Sequence, residues 1–162
     1  MANNTITAQL NEKFGSFIQS IEDPDGIITF TISSEIVIPV IQYLKEQLSF
    51  NFLTDLCGVH YPEKELNLCI VYHLHNLQDN KRLRLKSFVS ANNPVIKTAT
   101  GLFPAANWME RETYDFYGIL FEGHPNLIRI LNVDYLDYFP MRKEYPLEDP
   151  TRHDKDDRFF GR

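Results

Sequence analysis

The chain has 162 residues, which suits one core with a short appendage, since single domains commonly run to roughly 100–200 residues. Hydrophobic residues at 43%, aromatics at 13% and charged residues at 23% describe a folded globular protein and exclude a disordered one. Sixteen Lys and Arg against 22 Asp and Glu leave a formal charge of -6, without the basic field a phosphate backbone would attract, so no nucleic acid is expected as a partner. The opening "MANNTITAQLNEKF" has no basic stretch leading into an apolar run, and nothing approaches the roughly 18 apolar residues of a bilayer span. A cytosolic location is therefore expected. Cys57 and Cys69 lack CxxC spacing, supply neither a zinc set nor a disulfide framework, and read as buried thiols.

In chain order, Thr5 to Phe14 is a short helix candidate, and "GIITFTI", Gly26 to Ile32, is a β-branched strand after the turn-like "DPDG". "PVIQYLKEQL" follows as a helix, with Pro39 at its first position and Val40, Leu44 and Leu48 forming an apolar stripe. "FNFLTDLCGVHY" and "LNLCIVYHLHNL" flank the turn "PEKE", so Phe50 to Asn76 reads as a long hairpin, with Leu66, Leu68, Ile70, Tyr72 and Leu74 on the face that meets the helices. "KRLRLKSFVS" is expected as a third antiparallel strand, alternating Leu83, Leu85 and Phe88 imperfectly with Arg84, Lys86 and Ser87. Pro104 can open and Gly118 can close a helix that carries most of the motif described next. From Glu148 onward the alternating charges of "EDPTRHDKDDRFFGR" lack periodicity and read equally as a disordered terminus, with Phe159 and Phe160 merely exposed, or as an extended arm that uses those two rings to anchor in a partner. The expected fold class is α+β, a mostly antiparallel sheet packed with helices over residues 1–147, followed by an extended C-terminal tail over 148–162.

Chemistry concentrates in "MERETYDFYGILFEGHPNL", Met109 to Leu127. At about 100° per residue, Trp108, Arg111, Glu112 and Asp115 fall on one helical side, and Ala105, Met109 and Phe116 on another. Arg111 and Asp115 are then i,i+4 neighbours, a pair worth about 0.3–0.5 kcal/mol when exposed and far more to break when buried. Glu110, Glu112 and Asp115 outnumber Arg111, so a buried version needs cations from elsewhere, for which Arg129, Arg142 and Lys143 are candidates. An acid-base hydrolase using Glu112, Asp115 and His124 is sterically conceivable, yet no nucleophile elbow, phosphate loop or oxyanion donor accompanies them. His124, held before Pro125, suits a turn better than a metal ligand. His73 and His75 share a strand face with Cys69 and could form a metal site, although the ordinary reading is a wet sheet face.

"ERETYDFYGILFEGHPNLIRIL", Glu110 to Leu131, with "FPMRKEYPL", Phe139 to Leu147, resembles the 30-kilodalton subunit family of the proton-pumping NADH:quinone oxidoreductase, respiratory complex I, whose bacterial members are designated by the letter C. The family pattern falls on Glu110, Arg111, Glu112, Asp115, Gly118, Phe121, His124, Pro125, Arg129, Ile130 and Leu131. Met141 and Glu144 stand where leucine and aspartate are commoner. The resemblance implies a member of the peripheral arm without catalysis or a cofactor of its own, whose polar motif, with Arg142 and Lys143, serves fold and interface. Implied partners are the large quinone-site subunit and the iron-sulfur subunits, on the cytoplasmic face of the inner (plasma) membrane, with membrane association only through the complex. The equivalent subunit of a membrane-bound nickel-iron hydrogenase is the neighbouring alternative.

Overall fold

Phe30, Leu85, Tyr72 and Leu56 lie side by side across four neighbouring strands, all buried, and this row is the centre of the molecule. The computed structural model describes residues 2–22 and 26–146; the expected arm over 148–162 lies outside them. Helix α1 (Ala2–Phe14) leads to strands β1 (Ile18–Glu22) and β2 (Ile28–Ile32), then helix α2 (Val37–Leu48). Strands β3 (Phe52–His60), β4 (Leu68–Asn76) and β5 (Lys81–Val89) follow as a meander. A short β6 (Val95–Lys97), helix α3 (Ala106–Tyr117) and β7 (Leu120–Glu122) come last among the described residues.

The main sheet runs β1-β2-β5-β4-β3, with β2 parallel to β5 and every other pair antiparallel, which bears out the α+β expectation. Period-two alternation sends Leu68, Ile70, Tyr72 and Leu74 into the core as expected, because side chains two apart share a face. Leu66 lies before the strand and is exposed. In β5 the inward residues are Leu83, Leu85, Ser87 and Val89. Phe88 therefore points to the opposite face, where its ring meets Tyr61 at 5.9 Å, a correction to its grouping with the leucines.

Helix α2 begins two residues before Pro39, after a tight turn over Ser34–Ile36. Proline is harmless there because amides of the first helical turn have no acceptor within the helix. Val37, Val40, Ile41 and Leu44 bury their side chains, and Ile6 and Leu10 of α1, four apart, join the same core. No helix among the described residues is long and apolar enough to cross a membrane.

The connection from β6 through α3 to β7 forms a small parallel pair, and it positions the motif. Gly58 on β3 lets α3 close on the sheet, because a Cβ there would lie 2.5 Å from the Tyr117 ring. Gly118 ends α3 with φ 74, donating its N–H to the Tyr114 carbonyl, so the expected glycine stop is present.

Candidate functional site: a polar motif and the segment it holds

After β7 the chain runs from His124 to Pro146 without a helix or strand. Such a segment has a problem to solve, since its backbone donors and acceptors lack the ladder that satisfies those of a sheet. The motif on α3 supplies the partners. Asn107, Arg111 and Asp115 recur every four residues and so form one stripe, along which the following segment lies. The His124 ring contacts the Asn107 carbonyl through Nε2 at 3.1 Å, while Nδ1 accepts the Asn126 N–H at 3.0 Å. With Nδ1 accepting, Nε2 is the nitrogen that donates to the Asn107 carbonyl, so both ring nitrogens are engaged by main-chain groups. Pro125 is exposed beside it in the turn.

One turn further along, Arg111 donates Nε to the Ile128 carbonyl at 3.2 Å and Nη2 to the Arg129 carbonyl at 3.1 Å, with its guanidinium over the Trp108 ring. Asp115 then gathers five donors. Its carboxylate accepts the backbone N–H groups of Ile130, Leu131 and Asn132 at 2.8–3.1 Å, the Asn132 side-chain amide at 3.1 Å, and Arg129 Nη1 at 2.7 Å. Burial alone would push this carboxyl up, but the amides of Asn132 and Leu131 and the Arg129 guanidinium outweigh it and hold the group well below the usual carboxylate range. Arg129 also donates to the carbonyls of Asp115, Leu136 and Tyr138, closing the loop beyond it.

The expected Arg111–Asp115 pair is thus replaced. Asp115 pairs with Arg129, and Arg111 binds carbonyls of the same segment. Helical spacing could bring Arg111 close, but a main-chain turn offering three N–H groups together with a guanidinium is the better partner for a buried carboxylate. Arg142 donates Nε to the Tyr117 carbonyl at 2.8 Å and stacks on Phe139, whose ring lies against Gly118. The Lys143 main-chain N–H reaches His60 Nδ1 at 2.9 Å, and its side chain serves none of the three acids.

Glu110, which the helical spacing does not group with Arg111, Glu112 and Asp115, is fully buried. It answers burial without a cation. The Thr98 hydroxyl donates to one carboxyl oxygen at 2.5 Å and the Ala99 N–H to the other at 2.6 Å. Desolvation pushes its pKa up to about 7, and these two donors only partly oppose the shift. Glu112 is exposed, and faces a shallow groove with Asp55, Cys57 and Phe116 that contains neither Asp115 nor His124. Glu112, Asp115 and His124 therefore do not enclose a common pocket, and the hydrolase arrangement is not assembled.

The other sequence candidates separate in the same way. His73 accepts Arg84 Nε at 2.8 Å, while His75 bonds Asn80, so the two rings are engaged apart. Cys57 and Cys69 are free thiols, raised by burial to about 11 and about 12 respectively. Among the described residues no group of three His, Cys, Asp or Glu could hold a metal ion. Residues the sequence did not single out include Thr98, Asn107 and Asn132. Only the side chain of Asn132, three residues beyond Arg129, carries a local hint, as a residue type suited to turns.

The family described as "Respiratory-chain NADH dehydrogenase, 30 Kd subunit" matches residues 30–151. The NADH-quinone oxidoreductase subunit designated C in Geotalea uraniireducens is 38% identical over 150 residues, covering 93% of this chain and 92% of that protein. The corresponding protein of Geobacter sulfurreducens is 39% identical over 151 residues, covering 93% of each. Among solved structures, a trypsin-resistant fragment of Nqo5 superposes with a TM-score of 0.69 and 30% identity, covering 78% of this chain and all of the fragment. A chain of an archaeal membrane-bound sulfane sulfur reductase shares the fold, with a TM-score of 0.76 at 22% identity over 91% of this chain and 87% of that one. With the family match spanning residues 30–151 and relatives 38–39% identical over 93% of the chain, the protein belongs to the 30 Kd subunit family of the respiratory-chain NADH dehydrogenase.

Proposed function

We propose that this chain is a non-catalytic member of the peripheral arm of an NADH:quinone oxidoreductase, and that the segment held by α3 is its docking surface. The observation that carries this is where apolar surface lies. Eight of the sixteen large hydrophobic side chains exposed among the described residues fall between Ile128 and Tyr145, in a segment tied down by Asp115, Arg129 and Arg142. Leu131 is 65% and Tyr135 87% exposed, and Trp108 of α3 adds another 61% beside them. Ordering such a row at the surface costs free energy in an isolated chain and is expected where a partner covers it. The polar motif, Glu110, Arg111, Glu112, Asp115, Gly118, His124, Pro125, Arg129, Arg142 and Lys143, then holds fold and interface together and transforms no substrate.

The partners proposed are the large quinone-site subunit and the iron-sulfur subunits, on the cytoplasmic face of the membrane, with residues 148–162 as a further partner-binding arm. What supports the identity of the complex is that the Geotalea and Geobacter relatives are both subunits of an NADH-quinone oxidoreductase. The test is co-purification from the native host. A tagged chain carrying Leu131→Ser and Tyr135→Ser should fold, judged by an unchanged circular dichroism spectrum, yet recover far less of the flavin and iron-sulfur subunits than wild type. Undiminished recovery by the folded variant would remove the docking surface from this segment.

A further inference from the structure

All three helices bury their apolar residues against one face of the main sheet, and the opposite face carries a row of cations. Arg82, Arg84 and Lys86 occupy alternate positions of β5, next to the centre of that face, and Lys64 comes over its end from the β3–β4 turn. None of the four forms an ion pair with another described residue. Arg84 and Lys86 are half-buried. Arg84 donates Nε to His73, whose pKa is lowered by burial and by Arg84 and raised by Asp55, 3.8 Å from Nδ1 on the other side of the ring, so no carboxylate touches the guanidinium directly. Lys64 Nζ lies 4.3 Å from the centre of the Phe88 ring and 4.8 Å from that of Tyr61, held on an aromatic platform. Two carboxylates, Glu22 and Asp55, share the face, and Glu63 stands at its rim. Four cations against these three carboxylates leave the face with a small positive excess, opposite in sign to the chain's formal charge of -6.

We infer that this sheet face docks an extended acidic segment of a partner protein, with Arg82, Arg84 and Lys86 meeting alternate carboxylates and Lys64, held on the Tyr61–Phe88 platform, meeting the next. Side chains two apart on a strand stand roughly 7 Å from one another, and an extended partner presents its own alternate side chains at the same interval. A cation row with that period favours a strand-like acidic peptide over a diffuse anionic surface. A groove lined by Thr31, Tyr61, Lys64, Lys86 and Phe88, with Glu22 at one side, gives the contact depth. This surface is separate from the apolar segment after α3, and its test does not require that segment to dock anything.

The test uses the purified full-length chain and a fluorescein-labelled synthetic peptide alternating glutamate with valine, followed by anisotropy. Saturable binding that weakens as salt is raised is expected, and Arg84→Glu with Lys86→Glu should weaken it by about tenfold or more. Leu131→Ser with Tyr135→Ser should leave it unchanged. Arg84→Gln with Lys86→Gln guards against misfolding, since it should keep the wild-type spectrum and lose most of the binding. Absence of saturable binding, or binding untouched by charge reversal in a folded variant, would overturn the inference. So would tighter binding to phosphatidylglycerol vesicles than to the peptide, which would assign the face to lipid. Peptide binding that appears only after residues 147–162 are removed would assign it to this chain's own terminus and overturn it equally.

Discussion

Residues 28–89 and residues 124–146 face the same requirement, a partner for every buried amide and carbonyl, and meet it by opposite means. In the sheet, strands satisfy one another in a regular ladder, and apolar side chains such as Phe30, Tyr72 and Leu85 drive the assembly by burial. In the later segment the ladder is missing, and a few side chains on α3 and Arg129 do its work through directed bonds to individual backbone groups. Burial is distributed, so the loss of one sheet residue is shared among neighbours. Directed bonds converge on a few atoms, so the loss of one of those atoms releases many groups together.

That contrast is broken most directly at Asp115. Asp115→Ala removes the acceptor of three consecutive N–H groups and leaves Arg129 without its carboxylate. Removing one partner of a buried pair costs about 3–5 kcal/mol, and urea unfolding should show a loss of that order. Limited proteolysis should cut first between 128 and 138, while the hydrogen-exchange protection of β4 and β5 stays close to wild type. Acid should act in the same direction, because a carboxyl held below its unfolded value contributes stability present above about pH 4 and lost as pH falls. If the sheet and the segment lose protection together, the two regions form one cooperative unit and the contrast fails.

The same division governs what could be read from the residues alone. The hairpin, β5, α2 and the glycine-capped α3 are legible because each rests on local periodicity or a local stop signal. β1 escapes because a bulge between Ile18 and Ser20 breaks its alternation. β6 and β7 escape because three residues carry no period and each is a strand only through the other. In the site, residue types and positions were legible but their pairings were not. Helical spacing joins Arg111 to Asp115, whereas the actual partner, Arg129, arrives through a turn of the chain that spacing does not encode. The burial of Glu110 depended on Thr98 and Ala99, brought to it by β6.

Glu110 sharpens the comparison by inverting the sign of the pH effect. Its folded pKa of about 7 lies above the ordinary 4.5, so the folded state holds the proton more tightly than the unfolded chain. Stability should therefore be greatest below about pH 4.5 as far as this group is concerned, fall as pH rises toward 7, and level off above it. The total is on the order of 3 kcal/mol, taking about 1.4 kcal/mol per unit. Glu110→Gln removes the charge and keeps one oxygen to accept the Ala99 N–H while its NH2 can donate to the Thr98 hydroxyl, and it should flatten the slope of unfolding free energy measured between pH 5 and pH 8. A slope unchanged in the variant would place its origin in another group.

The smallest effect should come from Arg111, and its size discriminates between fold and interface. Its two bonds go to carbonyls of a half-exposed segment, each worth about 0.5–1.5 kcal/mol net, and the Trp108 contact is at the surface. Arg111→Ala should therefore cost about 1–2 kcal/mol, well below Asp115→Ala, and leave a folded chain. Ile128 and Trp108 would lose their fixed positions, so recovery of partner subunits should fall by more than the stability loss explains. Arg111→Lys separates the two contributions. A lysine restores the charge but cannot reach two carbonyls with a planar fork, so it should recover little of the docking if geometry is what Arg111 provides. Full recovery with lysine would mean that the partner reads the charge itself, and that the shape of the segment after α3 is maintained by Asp115 and Arg129 alone.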